Sequence, residues 1–277
     1  MQSEPWLLSG FGDEIDPDPH LQCAVLQALG ARHVEVRSAW GVNIVELSEA
    51  QLVELKAVLD ARGMAVSAIA SPIGKVSVEL PVAHELARLD RAIVAAEVLG
   101  AQYIRIFSFY YDGAPEAVRD AVLERMRALA ARAEQAGVVL LHENEKEIFG
   151  DTPDRVLDLI QSVDSPALRV AWDAANFVQV GVRPFREAYE MLRPYLDYVQ
   201  VKDALLADGT VVPAGEGDGE LPETVRALRD SGYQGFVSLE PHLADAFALG
   251  GFSGPAAFGV AGRAFAKVLA DEGVVSA

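Results

Sequence analysis

Four residues have the types and spacing to hold a hard cation. They are Glu143 in "VVLLHENE", Asp173 in "LRVAWDAAN", Gln200 in "YVQVKD" and Glu240 in "FVSLEPH". Each closes a short apolar, β-rich run at a matching depth. Three carboxylates aimed at one another in a dry enclosure repel strongly. A divalent cation removes that conflict, and an all-oxygen donor set suits Mg²⁺ or Mn²⁺. Each acid also has a plainer use, as a loop residue, a helix cap or half of a salt bridge with Lys202, Lys146 or Arg105. The repetition on four consecutive runs is what favours a common site.

The elements that must bring these residues together are readable from hydrophobic periodicity. Eight short apolar runs begin near residues 6, 33, 65, 102, 138, 168, 198 and 236, and each is followed by an amphipathic segment. "SEAQLVELKAVLDARG" has Ser48 as N-cap and Gly63 beyond its end, and "TPDRVLDLIQS" has Thr152 as cap with Pro153 in the first turn. Strands alternating with helices imply a parallel sheet. Eight such units without a linker predict one α/β domain, a (β/α)8 TIM barrel over residues 1–277. A doubly wound open sheet fits less well, because "GFGDEI" has Ile15 where the third glycine of a dinucleotide-binding turn belongs. In a barrel the chemistry lies at the C-terminal strand ends. Those ends carry Glu35 and Arg37 on strand 2, Ser71 and then Lys75 on strand 3, and Arg105 and Ser108 on strand 4. Strands 5 to 8 add His142, Glu143 and Asn144, then Asp173 and Asn176, then Gln200, Lys202 and Asp203, and finally Glu240 and His242.

Bulk properties narrow the classes. The chain has 277 residues, 51% of them hydrophobic, enough for one large core. The formal net charge of −18 speaks against a nucleic-acid partner. No apolar run reaches membrane-spanning length. "MQSEPWLLSG" has neither the basic start nor the apolar stretch of a signal peptide, and Cys23 is the lone cysteine, so the expectation is a cytoplasmic protein without an internal disulfide. "GFSGP" lacks the spacing of a serine-hydrolase elbow, and one cysteine cannot build a zinc-deaminase site. His20, His33 and His84 lie away from the strand ends and read as surface or packing residues. Trp6 and Trp40 read as packing residues, Trp172 as either pocket wall or packing, and Glu145 and Glu147 as solvent-facing.

Taken together, "VVLLHENE", "VAWDAAN", "VQVKDA", "GEGDGE" and "GYQGFVSLEPH" resemble the sugar phosphate isomerase/epimerase superfamily, the xylose isomerase-like TIM barrels. The likeness runs from "HVEVR" to "GFSGP". It implies one divalent metal held by Glu143, Asp173, Gln200 and Glu240. Gln200 stands where the family usually has His, which makes Zn²⁺ or Co²⁺ less favoured than Mn²⁺ or Mg²⁺. Ser253 and Gly254, in "LGGFSGPAAFG" before the last helix, are candidates for holding a phosphate.

The expected reaction is aldose–ketose isomerisation or ketose epimerisation of a small sugar or sugar phosphate. A metal polarises the carbonyl, Glu143 or Glu240 removes the proton from the adjacent carbon, and the other carboxyl returns one. His142, Asn176, Lys202, Lys75 and His242 are candidates for holding substrate oxygens. Arg105 is another, with a salt bridge inside the barrel as its alternative. An inosose-type dehydratase shares the first step. A non-catalytic sugar-binding barrel and an abasic-site endonuclease are further readings, the last opposed by the charge and by too few histidines at strand ends. The family often forms homo-oligomers.

Overall fold

A computed structural model describes residues 5–243 and 253–277. The eight expected runs are β1 (Leu7–Gly10), β2 (His33–Val36), β3 (Ala65–Ala70), β4 (Tyr103–Ile106), β5 (Val139–Glu143), β6 (Leu168–Asp173), β7 (Leu196–Val201) and β8 (Phe236–Leu239). All neighbours are parallel, in the order β1-β8-β7-β6-β5-β4-β3-β2. A single parallel bridge between Phe11 and Glu35 joins the outer two, so the sheet is a nearly closed barrel.

The helices that return the chain are α1 (Pro19–Ala28), α2 (Glu49–Ala61), α3 (Val82–Leu99), α4 (Pro115–Ala136) and α5 (Pro153–Val163). They continue with a short α6 (Ala174–Gln179), an irregular helical stretch over 185–195, α7 (Leu221–Asp230) and α8 (Gly254–Asp271). Local sequence accounts for their ends. Ser48 and Gln51 form a reciprocal capping box on α2, and α4 stops at Gly137, whose φ of +72° is open to a residue without a Cβ. None of the helices described is long and apolar enough to cross a membrane.

Two apolar layers follow from the strand alternation. Ile106 and Val170 belong to the large core between strands and helices, whereas Ala68, Leu141, Ala171 and Tyr198 fill the barrel interior. Above that interior layer the inward positions turn polar, and these residues build the site.

Candidate active site

β5 and β6 end side by side, and the chain holds their last residues with its own amides. Asn144 clamps the Asp173 backbone, donating to its carbonyl at 2.9 Å and accepting its N–H at 3.1 Å. Asp173 caps α6 by accepting the Asn176 N–H at 2.8 Å. Asn176 in turn donates to Glu143 Oε1 at 3.1 Å. Asn176 therefore holds both side chains, Asp173 through its N–H and Glu143 through its amide. Glu240 follows β8, and oxygens of Glu143, Asp173 and Glu240 all lie within 4.8 Å of one another, fully buried. Gln200 shares a register position with Asp173, so both side chains leave the same face of the sheet. Gln200 Nε2 donates to Glu35 Oε1 at 3.4 Å, and Gln200 Oε1 has no donor among the described residues.

Cations surround the carboxylates. Lys202 Nζ lies 2.8 Å from Asp173 Oδ2 and 3.3 Å from Glu240 Oε2. The first contact makes Lys202 the counter-charge of Asp173. Arg105 Nη1 lies 3.0 Å from Glu143 and 3.9 Å from Glu240, so the salt-bridge alternative describes it. Its guanidinium is flanked by the rings of Phe11 and Phe107. Arg37 ties together Asp13 at 2.8 Å, Glu14 at 2.9 Å and Glu240 at 3.0 Å. His242 Nε2 meets Glu14 at 2.9 Å and Glu240 at 3.3 Å.

This asymmetry separates the carboxyls. Burial raises Glu240, but Lys202, His242 and Arg37 outweigh it and hold the group well below the usual carboxylate range. Burial also raises Glu143, and Arg105 opposes it without prevailing, so that carboxyl is pushed up. Asp173 is raised to about 7 by burial despite Lys202, with Glu143 and Glu240 adding repulsion. Burial disfavours the charged imidazole of His242, but Glu240 and Glu14 raise it to about 9, so it is a cation at neutral pH.

A cavity of about 130 Å³ opens over the carboxylates, lined by Arg37, Lys75, Arg105, Glu143, Lys202 and Glu240 among others. A wider one of about 470 Å³ adjoins it and takes in Asn176, Lys146, Gln179 and Thr210. Glu145, Lys202 and His242 line both. Lys75 stands at the cavity edge over the Phe107 ring, paired with Glu145 at 2.9 Å. Glu145 is thus a cavity residue and not the solvent-facing one expected. Burial raises its carboxyl, but Lys202 and Lys75 bring it below the usual range.

Two further expectations are corrected. His142 is not brought to the cavity. It precedes inward-facing Glu143, so alternation turns it outward, level with Ile106 and Val170 and against Gly150. It is fully buried, neither ring nitrogen has a hydrogen-bond partner among the described residues, and burial lowers its pKa to about 3. At the start of α8, Ser253 N and Oγ both donate to Glu14 Oε2, at 3.3 and 2.7 Å. The anion at that helix end is therefore a carboxylate of the chain itself, which leaves Ser253 no free donor for a phosphate. Residues 249–252 of the same motif lie outside the described residues.

Sequence reasoning did not single out Asp13 or Glu14, and it noted Asn144, Glu35 and Arg37 only as strand-end residues. A signal for the last two existed in "HVEVRS", where two charges stand two apart on an otherwise apolar strand and so share a face. Asp203 organises the loop after β7, accepting from the N–H groups of Ala204, Gly215, Gly217 and Gly219. A Cβ on Gly217 or Gly219 would lie 2.3 or 2.6 Å from Asp203 Oδ1, and Gly215 has a φ of +84°, which explains the glycines of "GEGDGE".

The donor set fits a hard divalent cation. It comprises the three clustered carboxylates, and Lys202 Nζ at present occupies one of their oxygens, Asp173 Oδ2, at 2.8 Å.

Comparison with known proteins agrees with this architecture. A 2-epi-5-epi-valiolone 7-phosphate 2-epimerase from Actinoplanes sp. is 33% identical over 187 residues, which is 64% of this chain and 65% of that protein. The match thus spans just under two thirds of that relative. The IOLI protein solved with a zinc atom superposes with a TM-score of 0.79 at 15% identity, covering 96% of this chain and 99% of that one. A xylose isomerase-like TIM barrel protein from Mycobacterium smegmatis, solved with magnesium, gives 0.69 at 22% identity, covering 97% of both chains. At such identities these two structures show the fold alone. A family model described as xylose isomerase-like TIM barrel matches residues 23–256. The chain belongs to the xylose isomerase-like TIM barrel family.

Proposed function

We propose that this protein is an epimerase or isomerase that moves a proton at the carbon beside the carbonyl of a small polyhydroxylated ketone. One observation carries the reading. Glu143 and Glu240 stand at the floor of one cavity, with oxygens in a common cluster, and their cationic surroundings are unequal. Two carboxyls whose environments push their proton affinities apart are suited to opposite acid–base roles. The epimerase name of the Actinoplanes relative supports the same reaction class.

Glu143, Asp173, Gln200 and Glu240 would hold one divalent cation, Mn²⁺ or Mg²⁺ in preference to Zn²⁺ or Co²⁺, given the oxygen donors. When bound, such a cation supplies Lewis acidity that polarises a carbonyl. Glu240, kept ionised by Lys202, His242 and Arg37, accepts the proton from one face of the carbon. Glu143, whose carboxyl is pushed up, returns a proton to the other face. In the reverse direction the roles exchange. Asn176 keeps Glu143 in place, and Lys202 and Lys75 offer donors to substrate hydroxyls. The adjoining wider cavity gives room for a ring substituent, and its Lys146 and Thr210 are suited to a charged or hydroxylated one.

The test uses purified protein with Mn²⁺ in D₂O and a panel of ketohexoses and keto-cyclitols, with and without phosphate. The expected outcome is deuterium at the carbon beside the carbonyl, in a product that has not lost water. A product lighter by one water marks the dehydratase instead. Absence of exchange across the panel, with metal bound, overturns the proposal.

A further inference from the structure

We propose that Glu35 is a positioning residue that sets which end of the Gln200 amide faces the carboxylate cluster. This rests on the reading of Gln200 as an oxygen ligand. Glu35 is 1% exposed and enters the barrel interior from β2. Tyr198 Oη donates to its Oε2 at 2.9 Å, and Gln200 Nε2 donates to its Oε1 at 3.4 Å. Tyr198 is itself held by Ser67 Oγ at 2.8 Å, which is 2.7 Å from Ser9 Oγ. A polar chain thus runs across the barrel from β1 to β7 beneath the site, and Glu35 is its last member before Gln200.

The two ends of a side-chain amide are close in shape and opposite in function. The carbonyl oxygen can ligate a cation, whereas the NH₂ group can only donate. A carboxylate can only accept. Glu35 therefore draws the NH₂ toward itself and turns Oε1 away, and Oε1 is the buried atom left without a donor. The flipped amide would set oxygen against oxygen at Glu35. It would also aim N–H groups at a cluster that already contains the Lys202 ammonium. Gln200 alone has no means of making this choice; its carboxylate neighbour makes it.

The test compares metal-stripped wild type, Glu35→Gln, Gln200→Ala and the double variant. Each is titrated with Mn²⁺, with free Mn²⁺ read by electron paramagnetic resonance and folding checked by thermal melting. All titrations are run in the same mildly alkaline buffer. A glutamine at position 35 can donate to the Gln200 carbonyl and engage it, so Glu35→Gln is expected to weaken Mn²⁺ binding about tenfold or more. Gln200→Ala is expected to weaken it comparably, and the double variant no further than Gln200→Ala alone, because Glu35 acts only through residue 200. Should Glu35→Gln not fold, Glu35→Ala, which removes the acceptor that holds the Gln200 NH₂, is read in its place, again with a loss of Mn²⁺ affinity that the double variant does not extend beyond Gln200→Ala alone. Unchanged affinity on replacing Glu35, or additive losses in the double variant, overturn the proposal. Wild type binding Mn²⁺ no better than Gln200→Ala overturns it by removing Gln200 as a ligand. Wild type binding no Mn²⁺ at all overturns the metal reading and the proposal together.

Discussion

The Lys202 ammonium stands 2.8 Å from Asp173, inside the same carboxylate cluster that can hold a metal. A cation and the ammonium therefore draw on the same oxygens. Removing one partner of a buried pair costs about 3–5 kcal/mol. Lys202→Met is expected to melt lower than wild type when metal-free and to recover more on adding Mn²⁺. Melting curves of both proteins with and without saturating Mn²⁺ check this. Equal Mn²⁺ shifts in the two would show that Lys202 and the metal do not compete.

Glu143→Gln and Glu240→Gln are each expected to lower turnover by ~10²-fold or more, the scale of a lost proton-transfer group. Their stabilities should differ. The environment disfavours charge at Glu143, so its neutral isostere is tolerated. Glu240 is a shared partner of Lys202, Arg37 and His242, and its replacement removes one carboxylate from three ion pairs at once, lowering the melting temperature. Denaturation of the two variants side by side tests the difference. If Glu240→Gln proved the more stable, the assigned asymmetry would be wrong.

Gln200→His exchanges an amide oxygen for an imidazole nitrogen at unchanged site charge. Affinity for Zn²⁺ and Co²⁺ is expected to rise more than affinity for Mg²⁺, because imidazole suits the borderline ions. Competitive metal titrations of stripped wild type and variant measure this. An unchanged ranking would place residue 200 outside the coordination sphere.

His142 makes the fold acid-sensitive. Its pKa falls from the ordinary 6.5 to about 3 on burial. Between those values the unfolded chain binds a proton that the folded chain refuses, so stability falls as pH drops from about 6.5 toward 3. This one group contributes up to ~1.4 kcal/mol per pH unit. His142→Leu should flatten the slope of urea-unfolding free energy against pH by close to one proton. A slope unchanged by the substitution would mean that His142 ionises freely in the folded protein.

The barrel was legible because an apolar run followed by an amphipathic segment repeats eight times, and because Ser48, Pro153 and Gly63 punctuate helices by local chemistry. Glu143, Asp173 and Glu240 were legible as a set because β5, β6 and β8 each end in an acid at a corresponding step. The orientation of His142 was within reach, since adjacent strand residues face opposite sides, but proximity to Glu143 outweighed that rule. Glu145 was out of reach, because it follows the strand and no periodicity governs the turn. The counter-charges were equally hidden. Arg37 meets Glu240 across 203 positions of sequence, and only closure of the barrel brings β2 and β8 together.

Glu14 accepts from Ser253 at 2.7 Å and pairs with His242 at 2.9 Å, so one carboxylate holds both ends of the connection from β8 to α8. That has a consequence for how such a barrel can change over evolution. With entry and exit fixed, lengthening the connection costs only closure entropy, about 0.6 kcal/mol for each doubling of its length. Glu14 therefore gives that connection two fixed anchor points, His242 and Ser253, between which its length can change.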